Sequence, residues 1–238
     1  QGKKVFPILA NQASGKYIAL CEGDDYWTDP LKLQKQVDFM EAHPECSICC
    51  HKLIVKDDTG KKQNYSFPDI NGDHIFDKNF LYEHAFIRTC SVVFQNKRIK
   101  GLQDLLKNFQ IGDSPLFYYY AQLGDIGYID DIMSVYRLHD NSSWSSQPAI
   151  EQVKGTLDTR IKQRKFLKIT NSRTLNHVIL NYIIQVIKYY SKIGDEKSVR
   201  EYLILAYKNL RKANKAQVKN ILKYSIKTYF PIFYRFIN

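Results

Sequence analysis

The stretch that decides the reading is Gly15-Lys-Tyr-Ile-Ala-Leu-Cys-Glu-Gly-Asp-Asp-Tyr-Trp-Thr-Asp-Pro-Leu-Lys-Leu-Gln-Lys-Gln-Val37. Its first part, Tyr17 to Cys21, is a short apolar run of the kind that forms a buried strand. Three carboxylates follow within four residues, Glu22, Asp24 and Asp25, with Gly23 leaving room for close approach. Acidic side chains at the C-terminal end of a buried strand stand where open α/β sheets bind ligands. Such a cluster repels itself unless a cation joins it, and hard divalent ions such as Mg²⁺ or Mn²⁺ take carboxylate oxygens while leaving positions for phosphate. The competing reading is an acidic turn that caps the next helix. That helix is expected to open at Thr28-Asp29-Pro30, with Asp29 as cap and Pro30 in the first turn. Leu31, Leu33, Val37, Phe39 and Met40 would form its apolar side, and His43-Pro44 would end it.

Downstream, the pattern stays mixed α/β. Residues 46–55 read as one strand, Asp57 to Gly60 as a turn, and Phe76 to Glu83 as a short helix. Thr89 to Phe94 reads as a strand, Pro115 to Leu123 as a helix, and Gly127 to Asp130 and Ile132 to Leu138 as two strands. Asp113, in Ile111-Gly-Asp-Ser-Pro115, suits an N-cap and equally a general base that takes a proton from an attacking hydroxyl. In Val135-Tyr-Arg-Leu-His139, alternation puts Arg137 and His139 on one face of a strand. His139 could ligate a metal or be structural; Arg137 could pair with a phosphate or a carboxylate. The polar loop Asp140 to Ser146 is the natural boundary between a domain over residues 1–146 and a region over 147–238.

Beyond residue 149 four helical stretches follow, Ile150 to Ile169, Leu175 to Ile193, Lys197 to Leu210 and Ala216 to Tyr229. Charge divides the same way. The net charge of +11 splits into −3 over residues 1–150, with 16 Lys and Arg against 19 Asp and Glu, and +14 over residues 151–238, with 19 against 5. This asymmetry points to an anionic partner for the second region or to a solvated basic helical surface. The tail from Tyr224 interleaves Tyr, Phe and Ile with Lys and Arg, as a membrane-surface helix or a packing helix broken at Pro231 would.

Several classes are disfavoured. No run of eighteen apolar residues suggests a spanning helix. Gln1 to Ser14 has neither an initiating Met nor a signal-peptide layout, so Gln1 reads as an interior starting point. Of the five cysteines, Cys46, Cys49 and Cys50 cluster without a second ligand pair at finger spacing, and read as small hydrophobes in a strand. Basic charge without a recognisable motif makes a nucleic-acid partner unexpected.

Taken together, the quoted stretch, Gly112-Asp-Ser-Pro-Leu-Phe117, Gly127-Tyr-Ile-Asp130 and Met133-Ser-Val-Tyr-Arg-Leu-His139 resemble bacterial family 2 glycosyltransferases over roughly residues 5–146. The resemblance implies an α/β fold of the GT-A, Rossmann-like type, a mixed sheet flanked by helices, N-terminally truncated and followed by an all-α region. The family's first nucleotide-binding strand–helix units are not matched, which implies an incomplete parallel sheet with an exposed strand edge. It implies an inverting, metal-dependent transfer of a sugar from a nucleoside-diphosphate donor, UDP-linked by family default. The acceptor would be a glycan or lipid-linked glycan of surface polysaccharide synthesis. Glu22-Gly-Asp24 falls on the family's metal motif, with Asp24 the metal ligand and Glu22, Asp25 and Arg137 on the nucleotide side. Asp113 falls on the catalytic base, and His139 on a position that completes the Mn²⁺ or Mg²⁺ and diphosphate site. Tyr26, Trp27 and Trp144 would shape the sugar and acceptor pocket, since aromatic rings stack on apolar sugar faces. A cytoplasmic location follows, with peripheral contact at the inner membrane face through the basic tail. The alternative is a catalytically inactive binding or scaffold module.

Overall fold

The computed structural model describes residues 8–10, 12–58, 68–97, 109, 113–139, 144, 146–231 and 234. The chain divides into two units, Gln1–Ser146 and Gln147–Asn238. The expected turn at Gly60 and the residues Ile111, Gly112 and Asp140 to Ser143 lie outside the described residues.

The first unit holds two sheets. Strands β1 (Tyr17–Ala19), β3 (Cys46–His51), β5 (His74–Phe76), β6 (Val93–Gln95) and β7 (Asp125–Ile129) form a five-stranded sheet in the order β1-β6-β3-β7-β5. Strands β2 (Tyr26–Trp27), β4 (Ile54–Asp57) and β8 (Ser134–Leu138) form a second, in the order β2-β8-β4. The larger sheet is mixed, as the resemblance implied. β3 runs parallel to β7 and β4 to β8, while β1 with β6, β3 with β6, β5 with β7 and β2 with β8 are antiparallel. Helix α1 (Lys32–Ala42) packs on the larger sheet, with Met40 joining Cys49, Val93, Ile129 and Met133 in one core cluster. Helices α2 (Lys78–His84) and α3 (Ser114–Tyr120) also belong to the unit. Gly127 lets α1 come close: a Cβ there would lie 2.5 Å from a ring carbon of Phe39.

Six sequence expectations need correction here. The strand at Tyr17 is half-buried, not buried, because β1 lies at the sheet edge with β6 as its neighbour. Helix α1 begins at Lys32 rather than Pro30. The Asp29 carboxylate accepts a hydrogen bond from the Leu31 N–H at 2.7 Å and closes a turn ahead of the helix. Its buried side is Lys32, Gln36 and Met40, while Leu31 and Leu33 are exposed. Residues 46–55 are two strands in different sheets. At Lys52 the backbone N–H bonds to Ile129 O at 3.0 Å and the ammonium pairs with Asp130 at 2.7 Å, which turns the chain out of the first sheet. Residues 74–76 are strand, and α2 starts only after Asp77, whose carboxylate accepts from the N–H groups of Asn79 and Phe80. Thr89–Ser91 is a 3-10 turn, so the strand expected from Thr89 starts at Val93.

The cysteines behave as small hydrophobes. Cys46, Cys49, Cys50 and Cys90 are buried and all five are free. Burial pushes the Cys46, Cys49 and Cys90 thiols up to about 12, far from the thiolate form that binds metal.

The second unit is all-α: α4 (Ala149–Phe166), α5 (Arg173–Ile193), α6 (Glu196–Lys208) and α7 (Lys215–Tyr229), with a 3-10 turn at Leu210–Lys212. Helix α5 is central, burying Leu175, Ile179, Leu180, Ile183 and Ile187. Its ends are specified locally. Ser172 accepts from the Leu175 N–H, and Gly194, at φ 77°, terminates it in the left-handed conformation. Asn214 and Gln217 form a capping box that starts α7, which stops before Pro231. Helix α4 ends three residues short of the expected Ile169, where Lys168 adopts φ 50°.

Candidate active site

Between β1 and β2 the chain makes a tight acidic turn, closed by the Asp25 N–H donating to Glu22 O at 3.1 Å. Glu22, Asp24 and Asp25 each bring one carboxylate oxygen to within 4.8 Å of the others. Asp25 is the anchor. It is 8% exposed, and its Oδ1 accepts from the Arg137 N–H at 2.9 Å, which ties the turn to β8. Its Oδ2 is buried without a hydrogen-bond partner among the described residues. Burial raises its pKa, while the Arg137 N–H and the Cys90 thiol pull it back. Asp24 is half-buried, and its Oδ2 meets His139 Nε2 at 2.9 Å. Glu22 remains exposed to solvent. Even so, partial desolvation and then the charges of Asp113, Asp24 and Asp25 push its carboxyl up to about 7.

Three crowded carboxylates and one orphaned buried oxygen form an arrangement that a hard divalent cation would relieve. The donor set therefore fits Mg²⁺ or Mn²⁺, with the His139 imidazole on the outer side of Asp24.

Asp113 is the N-cap of α3. Its carboxylate accepts from the Ser114 N–H at 2.7 Å and from the Thr89 hydroxyl at 3.1 Å. The capping role read from the sequence is therefore present. Asp113 also acts electrostatically on Glu22, so it lies near enough to the acidic turn for their charges to interact. A carboxylate that caps a helix is fixed in place and still has lone pairs for a proton.

The remaining sequence candidates divide. Arg137 reaches the turn through its backbone. Its guanidinium instead holds Asp58, at 2.9 and 3.1 Å, so of its two expected pairings the observed one is with a carboxylate. Tyr26 and Trp27 lie on β2 directly after the turn and both are exposed. The Trp27 indole N–H donates to Cys90 O at 3.0 Å, which fixes the ring. Trp27 also borders a cavity of about 360 Å³ lined by Thr28, Asp29, Pro30, Lys32 and Leu33. Trp144 is half-buried, and its neighbours Ser143 and Ser145 are outside the described residues.

Sequence reading passed over the 3-10 turn Thr89–Ser91, which joins both arms of the site. Thr89 holds Asp113, Cys90 O holds Trp27, the Cys90 sulfur accepts from the Ser134 hydroxyl at 3.4 Å, and Ser91 O accepts from the Gln36 amide at 3.0 Å. Lys32 was also missed. Its buried ammonium donates to Gln36 Oε1 at 2.7 Å, 4.3 Å from the Trp27 ring centroid. The one signal available was the Lys-x-x-x-Gln spacing, which puts both side chains on the helix face of Met40.

Residues 8–100 match the family model described as Glycosyl transferase family 2. Over its first unit the chain is therefore similar to glycosyltransferase family 2, the family its sequence motifs resemble. An uncharacterised protein of Mycobacterium tuberculosis is 38% identical over 141 residues, which are 59% of this chain and 40% of that protein. EpsE of Bacillus subtilis, whose name assigns it provisionally to the glycosyltransferases, is 26% identical over 118 residues, 50% of this chain and 41% of that one. Among solved structures, Staphylococcus aureus TarS 1-349 superposes with a TM-score of 0.45 at 13% identity, covering 95% of this chain and 60% of that one. The chain spans about two fifths of the length of the curated relatives it matches. The matched residues include β1, the acidic turn, β2, α1 and β3.

Proposed function

We propose that the protein transfers a sugar from a nucleoside-diphosphate donor, UDP-linked by family default, to an acceptor hydroxyl with inversion at the anomeric carbon. The observation that carries this reading is the convergence of Glu22, Asp24 and Asp25, with an orphaned buried oxygen, in one turn. Asp24 and Asp25, with Glu22 beside them and His139 behind Asp24, would hold Mn²⁺ or Mg²⁺. When bound, that cation supplies positive charge against the departing diphosphate. Asp113, held by Ser114 and Thr89, takes the acceptor proton. The hydroxyl oxygen then bonds to the anomeric carbon as the bond from that carbon to the diphosphate breaks on the opposite face. Tyr26 and Trp27 offer ring faces to a sugar at the end of the acidic turn, and Trp144 is assigned to the acceptor side. The acceptor class, a glycan or lipid-linked glycan of surface polysaccharide made on the cytoplasmic side, rests on the family resemblance.

The test is release of UDP from UDP-sugars with and without acceptor. Asp113→Asn keeps an oxygen for the cap but loses the basic carboxylate, so turnover should fall by about 100-fold or more, with donor binding nearly unchanged. Normal turnover by the variant would remove Asp113 from the base role. Retained nucleotide binding without any turnover by the unaltered chain would favour the binding-module alternative.

A further inference from the structure

The second unit carries a surface that the transfer chemistry does not use. Helix α6 turns Val199, Leu203 and Ala206 inward, and α7 turns Gln217, Ile221 and Ser225 inward. Two contacts join the flanks of these helices. The Tyr207 and Ser225 hydroxyls lie 2.8 Å apart, and the Arg200 guanidinium sits 5.8 Å from the Tyr229 ring centroid. Arg200, Ile204 and Tyr207, spaced by four and three residues, therefore run alongside Leu222, Ser225 and Tyr229, spaced by three and four.

Along this seam the large apolar side chains face solvent. Ile204 is 53% exposed, Leu222 50% and Phe230 65%, and Tyr207 and Tyr229 are exposed as well. Around them stand the exposed Lys208, Arg211, Lys219 and Lys223, while the Lys227 ammonium turns to α5 and donates to the Ser191 hydroxyl oxygen at 2.9 Å. From Tyr202 to the end of the chain there are eight Lys and Arg and no Asp or Glu.

We infer that the α6–α7 face docks on an anionic lipid surface. A merely solvated face needs lysines but gains nothing from Ile204, Leu222 and Phe230 in water. A single-stranded nucleic acid would use flat rings as stacking platforms; here Tyr207 is tied to Ser225 and Tyr229 is covered by Arg200, while Ile204 and Leu222 offer no ring face. Aliphatic and aromatic side chains entering the headgroup layer, ringed by lysines whose stems lie along it and whose ammonium groups reach phosphate, match the chemistry of an interfacial helix pair. On α6 the exposed Glu196 is paired with Arg200 at 3.3 Å and Glu201 is also exposed, so the repulsion an anionic surface would meet is confined to the start of that helix, with no carboxylate side chain from Tyr202 onward. This inference does not depend on the glycosyltransfer reading.

The experiment is co-sedimentation of the full chain with vesicles of phosphatidylcholine alone or mixed with phosphatidylglycerol, which needs no donor sugar. Binding is expected only to the mixed vesicles and should weaken with salt. K219E/K223E should lower the affinity about ten-fold or more, and I204S/L222S should also lower it while leaving the charge intact. These positions are exposed, and an unchanged helical circular dichroism spectrum shows that the variants fold. Equal binding to both vesicle types, no binding to either, or variants that bind like the original chain would overturn the proposal. Tighter, salt-sensitive binding to single-stranded RNA than to the mixed vesicles would overturn it in favour of a nucleic-acid surface.

Discussion

His51 shows how much a single side chain can carry. It closes β3, is 3% exposed, and meets Lys52 O through Nδ1 at 2.6 Å. That contact to a carbonyl requires the proton on Nδ1, which leaves the buried Nε2 unprotonated and without a partner. Burial depresses the imidazole from 6.5 to about 4. Below about 4 both folded and unfolded forms are protonated, and above 6.5 both are neutral. Between these values only the unfolded chain binds the proton, so stability falls as pH drops through that window. The full loss from this one group is about 3 kcal/mol. Urea denaturation of the protein and of His51→Leu at pH 7 and pH 4.5 should show the variant losing less stability on acidification. Equal losses would contradict the buried neutral imidazole. None of this was legible in the sequence, where His51 is one more residue after a cysteine cluster. The acidic turn was legible, because its three carboxylates fall within four residues. Thr89 was not, because what it holds lies 24 residues away.

At the scale of elements, the strands and helices were read best where their signals are local. The four helices of the second unit were found through their polar breaks, among them Gly194-Asp and Lys212-Ala-Asn. Reading failed where tertiary contacts override the apolar pattern. Helix α1 has exposed leucines and a buried lysine because Lys32 and Gln36 link it inward, the Gln36 amide donating to Cys49 O at 3.1 Å and to Ser91 O at 3.0 Å. The run 46–55 is continuous in composition, yet Asp130 and Ile129 draw Lys52 aside and divide it. The tightest fit between elements is α1 against β7 at Gly127. Gly127→Ala should destabilise the first unit by about 1–3 kcal/mol, since Phe39 must move to admit the methyl group. At Gly23 an added Cβ meets nothing within 4 Å, so Gly23→Ala is the matched control. Chemical denaturation of both variants checks this, and a loss at Gly127 no larger than at Gly23 would contradict the close packing.

Across the whole molecule, composition foretold a division of labour. The acidic first region carries the carboxylate turn, and the basic second region is a separate helical unit. No helix among the described residues is long and apolar enough to cross a membrane. The fold class was legible from the alternation of strand and helix patterns followed by helices alone. Sheet order was not, because pairing of β3 with β7 joins residues almost 80 positions apart.

The central claim is that Glu22, Asp24 and Asp25 form a cation site that serves a nucleoside diphosphate. Titrating UDP into the full chain by calorimetry, first with Mn²⁺ and then with EDTA, tests it most directly. The account predicts binding that requires Mn²⁺ and is lost in Asp24→Ala. Binding that survives EDTA, or that Asp24→Ala leaves intact, would contradict it.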